Sequence, residues 1–540
     1  MEVMCGIVAA FGGTAVGAPK DTDKYERMLA RVAHRGPDDT GVQVVGNAWL
    51  GHQRLSIVDV SGGHQPISDA AGTAWIVGNG EIYNHERISK AFPDGTVRTK
   101  SDTEAALHAV MWDGQVAVAS LNGMFALAMG RDDGSGLVAR DPFGVKPLYW
   151  MPPADVVDGA GDSTPYTAPD PEATVLFASE LRAFDVEDRP FVESFPPGCL
   201  WSPSSGLVRF ADAVPVEVRP GRRAIRPGWD DADLSRVREA VISAVRRRMM
   251  SDVGVGVFLS GGLDSALVAA IAAEEARARG EQLPTFAVGT EDSGDLIAAR
   301  KVAAHIGSDH HEIVVTAEDI GEALDHAVEV IEHYDPALVR SSVPNLILAR
   351  EASKKVKVVL TGEGADELFA GYSYVHTDDY ANPNTLQAEL VRSLEQLHHL
   401  NLQRCDRTTM NFGLEAREPF LDSGLVRTAL ALPPAWKQRV DGRPEKAILR
   451  EAFEGWLPED LLWRGKEQFG DGSGAGTVLA ALAADKAGAA RASGETRSVP
   501  EQPEHSWSLR SEEEFLYYEI WRSHFAGIRP DQVLGAFATA

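Results

Sequence analysis

The sequence predicts two domains, the second an α/β domain built on a parallel sheet with helices on both faces. Three observations predict this. The chain has 540 residues, enough for two or three domains of roughly 100–200 residues each. Beyond residue 230, short apolar runs alternate with helical patterns. Such alternation is the mark of a parallel sheet with crossover helices. Third, Phe258-Leu259-Ser260-Gly261-Gly262-Leu263-Asp264-Ser265 carries the chain from an apolar strand into an apolar helix through two glycines. A turn of that kind points backbone N–H groups and a helix dipole at one spot, which suits a phosphate.

Bulk numbers narrow the function classes. Hydrophobic residues make up 44% and charged residues 24%, with a net charge of −27. That balance describes a soluble globular protein and argues against nucleic acid or an anionic membrane as partner. The three cysteines, Cys5, Cys199 and Cys405, form no disulfide or metal-ligand spacing, so a reducing, cytoplasmic compartment is expected. No run of 18 apolar residues occurs, so no membrane-spanning helix is expected. The stretch 3–17 lacks a basic start and a sustained apolar run, so it is not read as a signal peptide.

In chain order, 4–12 reads as a strand with Cys5 near its start. A cysteine at a chain start can use its own α-amine as general base once that amine is free; a small buried apolar residue is the alternative. Further on come His34-Arg35-Gly36-Pro37-Asp38, His52-Gln53-Arg54-Leu55-Ser56-Ile57-Val58-Asp59, Gln65-Pro66, Asn79-Gly80-Glu81-Ile82-Tyr83-Asn84, Ser101-Asp102-Thr103-Glu104 and Arg140-Asp141-Pro142-Phe143-Gly144-Val145-Lys146-Pro147-Leu148-Tyr149. In this order they resemble the class II glutamine amidotransferase domain, whose N-terminal-nucleophile fold is an α+β αββα sandwich. The resemblance implies that Arg54, Leu55, Ser56, Ile57, Val58, Asn79, Gly80, Glu81 and Asp102 bind glutamine, that Asn79 and Gly80 form an oxyanion hole, and that Cys5 attacks the side-chain amide. The residue types suit these roles: Arg54 can fork a carboxylate, Glu81 and Asp102 can hold an ammonium, and Asn79 and Gly80 can donate to an oxyanion. Read alone, Arg54 and Asp102 could be a surface ion pair, and Asn79-Gly80 a hairpin turn. The stretch 158–171 reads as an inserted surface loop, and Pro, Arg and Asp accumulate near 215–230 as a boundary.

In the second half, 231–250 reads as a helix, 254–257 as a strand and 266–273 as a buried helix start. Strands follow at 284–289, 311–315 and 356–360, with helices at 295–306, 319–333 and 343–352. Ligands on such sheets sit at the carboxyl ends of the strands, where the Ser260 turn, Val288-Gly289 and Thr361-Gly362 fall. Just past the last strand, Thr361-Gly362-Glu363-Gly364-Ala365-Asp366-Glu367 brings three carboxylates together, suited to Mg²⁺ or acid–base work, or to a solvated acidic turn. The Ser260 turn resembles the pyrophosphate loop of N-type ATP pyrophosphatases, a HUP-like α/β fold. Together with Glu415-Ala416-Arg417-Glu418-Pro419-Phe420-Leu421-Asp422, Lys446-Ala447-Ile448-Leu449-Arg450 and Arg464-Gly465-Lys466-Glu467-Gln468-Phe469, the chain resembles the glutamine-hydrolysing asparagine synthetases, the bacterial type B most closely.

That resemblance implies ATP and Mg²⁺ as cofactors. Phe258, Ser260, Gly261, Gly262, Leu263, Asp264, Ser265, Val288, Thr361 and Gly362 would bind ATP, and Asp264 and Asp366 the metal. Glu363, Lys466 and Arg340 would serve the adenylation of a carboxylate, most simply that of aspartate, with an exposed loop lysine and a helix-flanking charge as the plain alternatives for Lys466 and Arg340. Ammonia from Cys5 would then displace AMP. The implied layout is a glutaminase domain over 5–190, a connecting segment over 191–230, a synthetase domain over 231–475 and an Ala-rich tail over 476–540. Its partners are small molecules, and a homodimer is compatible with it. Two departures stand out. Met1-Glu2-Val3 precedes Met4-Cys5 where the family's cysteine follows the initiator directly, so translation is expected to start at Met4, with a cleaved leader or an impaired glutaminase as the alternatives. Pro336-Ala337-Leu338 stands where the family carries two threonines near the acceptor, so another carboxylate is the alternative acceptor.

Overall fold

The computed structural model of the protein describes residues 5–12, 21–152, 174–215, 228–439, 442–466, 469–492 and 509–536. The leader 1–4, the loop expected over 158–171, all but the ends of the boundary at 215–230, and Glu467-Gln468 lie outside them.

The first domain packs two antiparallel six-stranded sheets face to face. One runs Glu193–Ser194, Tyr149–Met151, Val175–Ala178, Gly6–Phe11, Ala48–Arg54, Asp39–Val45; the other runs Gly206–Arg209, Cys199–Ser202, Gly136–Arg140, Gly123–Arg131, Ala74–Ile82, Ile67–Ser68. Strand alternation explains the layers. On Gly6–Phe11, the side chains of Ile7, Ala9 and Phe11 enter the core between the sheets, with Trp150, Phe177 and Trp201. Val8 and Ala10 face the opposite way, toward Tyr25, Met28 and Leu29 on helix Thr22–Arg31, which Asp21 caps by accepting from Lys24 N at 3.1 Å. The second sheet likewise covers helix Asp102–Asp113 through Ile76, Ile82 and Phe125. The order is helix, sheet, sheet, helix, the αββα sandwich expected. Three strands correct the expected boundary: Glu193–Ser194, Cys199–Ser202 and Gly206–Arg209 fall in the supposed connecting segment yet belong to the two sheets, Glu193–Ser194 and Gly206–Arg209 as edge strands.

The second domain holds a five-stranded, wholly parallel sheet in the order Asp309–Val314, Pro284–Gly289, Val255–Phe258, Val358–Leu360, Glu415–Arg417. The four expected strands are present. The fifth, Glu415–Arg417, carries two charges in three residues and offers no apolar run. Helix Leu263–Ala278 is buried from Leu263 to Ala273 except for Asp264; its alanines let it lie close against the sheet. The helix expected over 343–352 begins seven residues earlier, at Pro336, where Asp335 caps it by accepting from Ala337 N at 2.9 Å.

The expected tail is not a tail. Helices Ala475–Ala492 and Glu512–Phe525 belong to the second domain, with Leu479, Tyr517, Tyr518, Trp521 and Phe525 buried against Tyr334, Leu346 and Val339. Trp521 packs edge-on to Tyr334 at 5.4 Å and donates from its ring N–H to Glu332 O at 3.1 Å. Trp521→Ala is therefore expected to destabilise the second domain by about 3–5 kcal/mol. Urea unfolding followed by tryptophan fluorescence and circular dichroism checks this, and an unshifted midpoint would show the helix to be dispensable.

Candidate active site

The glutamine-site residues converge on the start of the first strand. Cys5 is half-buried, and its Sγ accepts from Leu55 N at 3.4 Å. Burial of the sulfur pushes the thiol up to about 12, against the lowering effect of the Leu55 hydrogen bond and the Arg54 charge. Leu55 and Ile57 pack with Cys5 and Val58 beside Val358 and Met410 of the second domain. Ser56 N donates to Asp38 Oδ2 at 2.8 Å, which holds this segment in place. Arg54 is 3% exposed and spans the carbonyls of Asp59 and Val60 at 2.8 and 3.2 Å. Asp102 is 5% exposed and accepts from Ile82 N and Thr103 N at 2.6 and 2.8 Å. Neither belongs to a surface ion pair.

Asn79-Gly80 is not a turn. Both residues lie inside Ala74–Ile82, paired with Ala126 and Phe125 of the neighbouring strand. Gly80 has φ +121°, and a Cβ there would come within 1.9 Å of Met124 O, so only glycine fits. The Asn79 side-chain amide is fully buried, and neither its nitrogen nor its oxygen has a hydrogen-bond partner. A buried amide left open in this way costs free energy unless a ligand completes it. Glu81 Oε2 is likewise open, while Oε1 pairs with Arg417 at 3.1 Å. Burial, together with the Glu415 charge, raises the Glu81 carboxyl well above its usual range.

A cavity of about 310 Å³ opens at the carboxyl edge of the parallel sheet. It is lined by the Ser260 turn, Phe258, Val288, Thr361, Gly362, Glu363, Asp366, Arg340 and Lys466, so both predicted motifs and both predicted cations meet there. The Ser260 turn is braced internally: Ser260 Oγ and Ser265 Oγ lie 3.0 Å apart, and Ser265 Oγ donates to Gly262 O at 3.2 Å. Gly261 has φ +73° and sits against Ala298, where a Cβ would come within 2.5 Å. The first N–H groups of Leu263–Ala278 have no intrahelical partner and face the turn. Thr361 Oγ1 is buried and has no partner.

The carboxylates are paired rather than left to solvent alone. Lys446, 2% exposed and in the left-handed region at φ +59°, places its ammonium between Asp264, at 2.6 Å, and Asp366. Lys466 also binds Asp366, so it is no exposed loop lysine. These two lysines hold the Asp366 carboxyl well below the usual carboxylate range despite its burial. Glu363 pairs with Arg404. Glu367, which accepts from Tyr372 Oη at 2.6 Å, is pushed up to about 7 by burial and by Asp366. Arg340 lines the cavity but is forked by Glu513 of the last long helix, at 2.9 Å from Nε. Lys446, Arg404 and Glu513 were missed by sequence reasoning. Lys446 lay in a motif already quoted, but nothing in it marks a buried cation; Arg404 and Glu513 carry no local signal.

Among the described residues, no group of three or more His, Cys, Asp or Glu side chains is placed to hold a metal ion alone. Asp264 and Asp366 nevertheless converge on one point, which the Lys446 ammonium holds. Two carboxylates beside a phosphate site are the donor set Mg²⁺ uses when a nucleotide supplies the remaining oxygens.

A family model described as asparagine synthase matches residues 236–386 and 378–527, and one described as a glutamine amidotransferase domain matches residues 4–193. The asparagine synthetase [glutamine-hydrolyzing] of Sandersonia aurantiaca is 37% identical over 495 residues, 87% of each chain. Asparagine synthetase [glutamine-hydrolyzing] 2 of Arabidopsis thaliana is 36% identical over 494 residues, 87% of this chain and 79% of its own. The Asparagus officinalis enzyme of that name is 37% identical over 494 residues, 87% of this chain and 78% of its own. These relatives are plant enzymes, where the motifs had suggested the bacterial type B.

With residues 1–4 attached, a thiol at about 12 is almost wholly protonated at pH 8, with a thiolate fraction on the order of 10⁻⁴. Cys5 is expected to react with iodoacetamide about a thousandfold more slowly than a free cysteine, and faster once the chain begins at Cys5. Peptide mapping of the alkylated protein reads both rates; rapid labelling of the untrimmed chain would contradict the buried geometry.

Proposed function

Because the chain belongs to the glutamine-hydrolysing asparagine synthetases, we propose the following assignment of its residues to the amidation of aspartate with glutamine nitrogen and ATP. Cys5 Sγ attacks the glutamine side-chain amide after its own α-amine, freed of residues 1–4, has taken the thiol proton. Arg54 binds the glutamine α-carboxylate, with Leu55 to Val58 forming the wall beside it, and Glu81 and Asp102 hold the α-ammonium. The Asn79 amide and the Gly80 N–H stabilise the tetrahedral oxyanion; the open Asn79 amide supports this role. Ammonia leaves, and water releases glutamate from the thioester.

In the second domain the Ser260–Ser265 turn receives the ATP phosphates, and Phe258, Val288, Thr361 and Gly362 the nucleoside. Asp264 and Asp366 would hold Mg²⁺, which neutralises phosphate charge when bound. The aspartate β-carboxylate attacks the α-phosphorus, pyrophosphate departs, and Lys466 offsets the charge that develops. Ammonia then attacks β-aspartyl-AMP, Glu363 takes the surplus proton, and AMP leaves. Arg340, held by Glu513, faces the acyl group. The observation that carries this reading is the single cavity lined at once by the Ser260 turn, Glu363, Asp366 and Lys466, apart from the Cys5 constellation in the other domain. Small molecules are its partners. A cytoplasmic location, no nucleic-acid or membrane partner, and a homodimer belong to the same reading; the net charge of −27 supports the exclusion of polyanions.

Cys5→Ala is expected to abolish asparagine formation from glutamine while leaving ammonium-dependent synthesis within about twofold, since separate sites do the two jobs. Loss with both nitrogen sources would contradict the division. Glu363→Gln should cut ammonium-dependent synthesis by a factor on the order of 10² or more, read as asparagine by chromatography; an unchanged rate would remove Glu363 from the mechanism. The same assay run across other small carboxylic acids tests the alternative acceptor.

A further inference from the structure

Nitrogen released at Cys5 has to cross the boundary between the domains, and one buried carboxyl there has no role so far. Glu418 directly follows strand Glu415–Arg417 and precedes the short helical turn Pro419–Leu421. It is 4% exposed, and its Oε2 has no hydrogen-bond partner. An unpaired polar atom in such a place is costly unless something transient completes it. The groups whose charge it feels come from both domains: Lys146 from the first, Asp406 from helix Asn401–Met410, Glu415 from its own strand, and Glu363 from the adenylation cavity. Lys146 reaches the oxyanion strand, since a Cβ on Gly80 would meet its Cγ at 3.0 Å. On the other side, Cys405 lines the adenylation cavity and feels both Glu418 and Glu363. Glu418 is thus within electrostatic reach both of a side chain packed on the glutaminase oxyanion strand and of the carboxylate of the amidation site.

We propose that Glu418 is a nitrogen-binding residue on the passage from Cys5 to Glu363, its carboxyl holding the transferred ammonia by hydrogen bonds. The proposal rests on the two-site reading above. In its acid form Glu418 donates its O–H to the ammonia lone pair, and the open Oε2 accepts an N–H; no covalent bond forms or breaks, and the nitrogen leaves uncharged. Burial pushes the carboxyl up to about 8, with Lys146 acting against this and Asp406, Glu363 and Glu415 adding to it. Below that pH the acid form prevails. Above it the carboxylate prevails, which has no O–H to offer the ammonia lone pair and so holds the nitrogen less well.

The test uses the full chain with a free Cys5. Glutamate and asparagine are measured together with glutamine as donor, and asparagine alone with ammonium chloride, from pH 6.5 to 9. The wild type is expected to lose coupling, asparagine made per glutamate released, as pH rises through about 8. Glu418→Gln should flatten that dependence. Glu418→Leu should lower coupling roughly fivefold below about pH 8, the loss of about one hydrogen bond, with ammonium-dependent synthesis kept within twofold. Unchanged coupling in Glu418→Leu, or a pH dependence in Glu418→Gln equal to the wild type, overturns the proposal. An equal loss of ammonium-dependent synthesis overturns it too, by moving Glu418 into acid activation. If Glu418→Leu does not fold, the isosteric Glu418→Gln profile decides. A wild type that fails in either half-reaction alone defeats the two-site reading, and this proposal with it.

Discussion

The two domains are joined by charge buried in the boundary between them. Arg35 forks Asp406 at 2.9 and 3.1 Å, pairs with Glu180 at 2.6 Å and donates to Cys5 O at 3.1 Å. Arg407 meets Glu332 at 3.1 Å, and Glu332, the last residue of its helical turn, accepts from Leu181 N and Arg182 N. Arg417 links Glu81 to Glu415. Ions taken out of water in this way repay their desolvation only in good geometry with every partner present. A slip of the domains by one ångström would leave several charges stranded. The boundary therefore fixes the distance and direction between the thiol and the adenylation cavity.

A second constraint acts inside the adenylation cavity. Asp264 and Asp366 would repel one another without a cation, and Lys446 supplies it. Holding the lysine at φ +59° strains a non-glycine residue, which marks the position as one the surroundings impose. The pair is thereby held and aimed before any nucleotide arrives, a form of preorganisation that saves reorientation during the reaction.

Much of this was legible in the chain. The Ser260 turn, the acidic stretch after the strand at Val358–Leu360, and the glutamine-site motifs each carry residue types whose chemistry points to one use. Alternation of apolar runs found four of the five strands in the parallel sheet. What escaped had physical causes. Glu415–Arg417 is a strand made of charges, and its burial follows from partners in another domain. Helix Asn401–Met410 buries Arg404, Asp406 and Arg407, which a helical pattern assigns to solvent. Asn79-Gly80 reads as a turn because the dipeptide favours one locally, yet nine residues of ladder with Gly123–Arg131 override the local preference. The Ala-rich end gave little moment to read, and only tertiary packing places Trp521 in the core.

That last helix bears on how the molecule is made. The first domain's sheets are complete at Arg209, so a nascent chain emerging from the ribosome can close its thiol-bearing half early. The adenylation cavity has no such early moment: Glu513 and Trp521 are translated long after Arg209, and Glu513 cannot fork Arg340 until that helix arrives. Synthesis therefore runs through an interval in which one half of the enzyme is folded while the other still exposes the apolar faces of helices Ala317–Ile331 and Pro336–Ala352, and that interval is when a chaperone has something to hold.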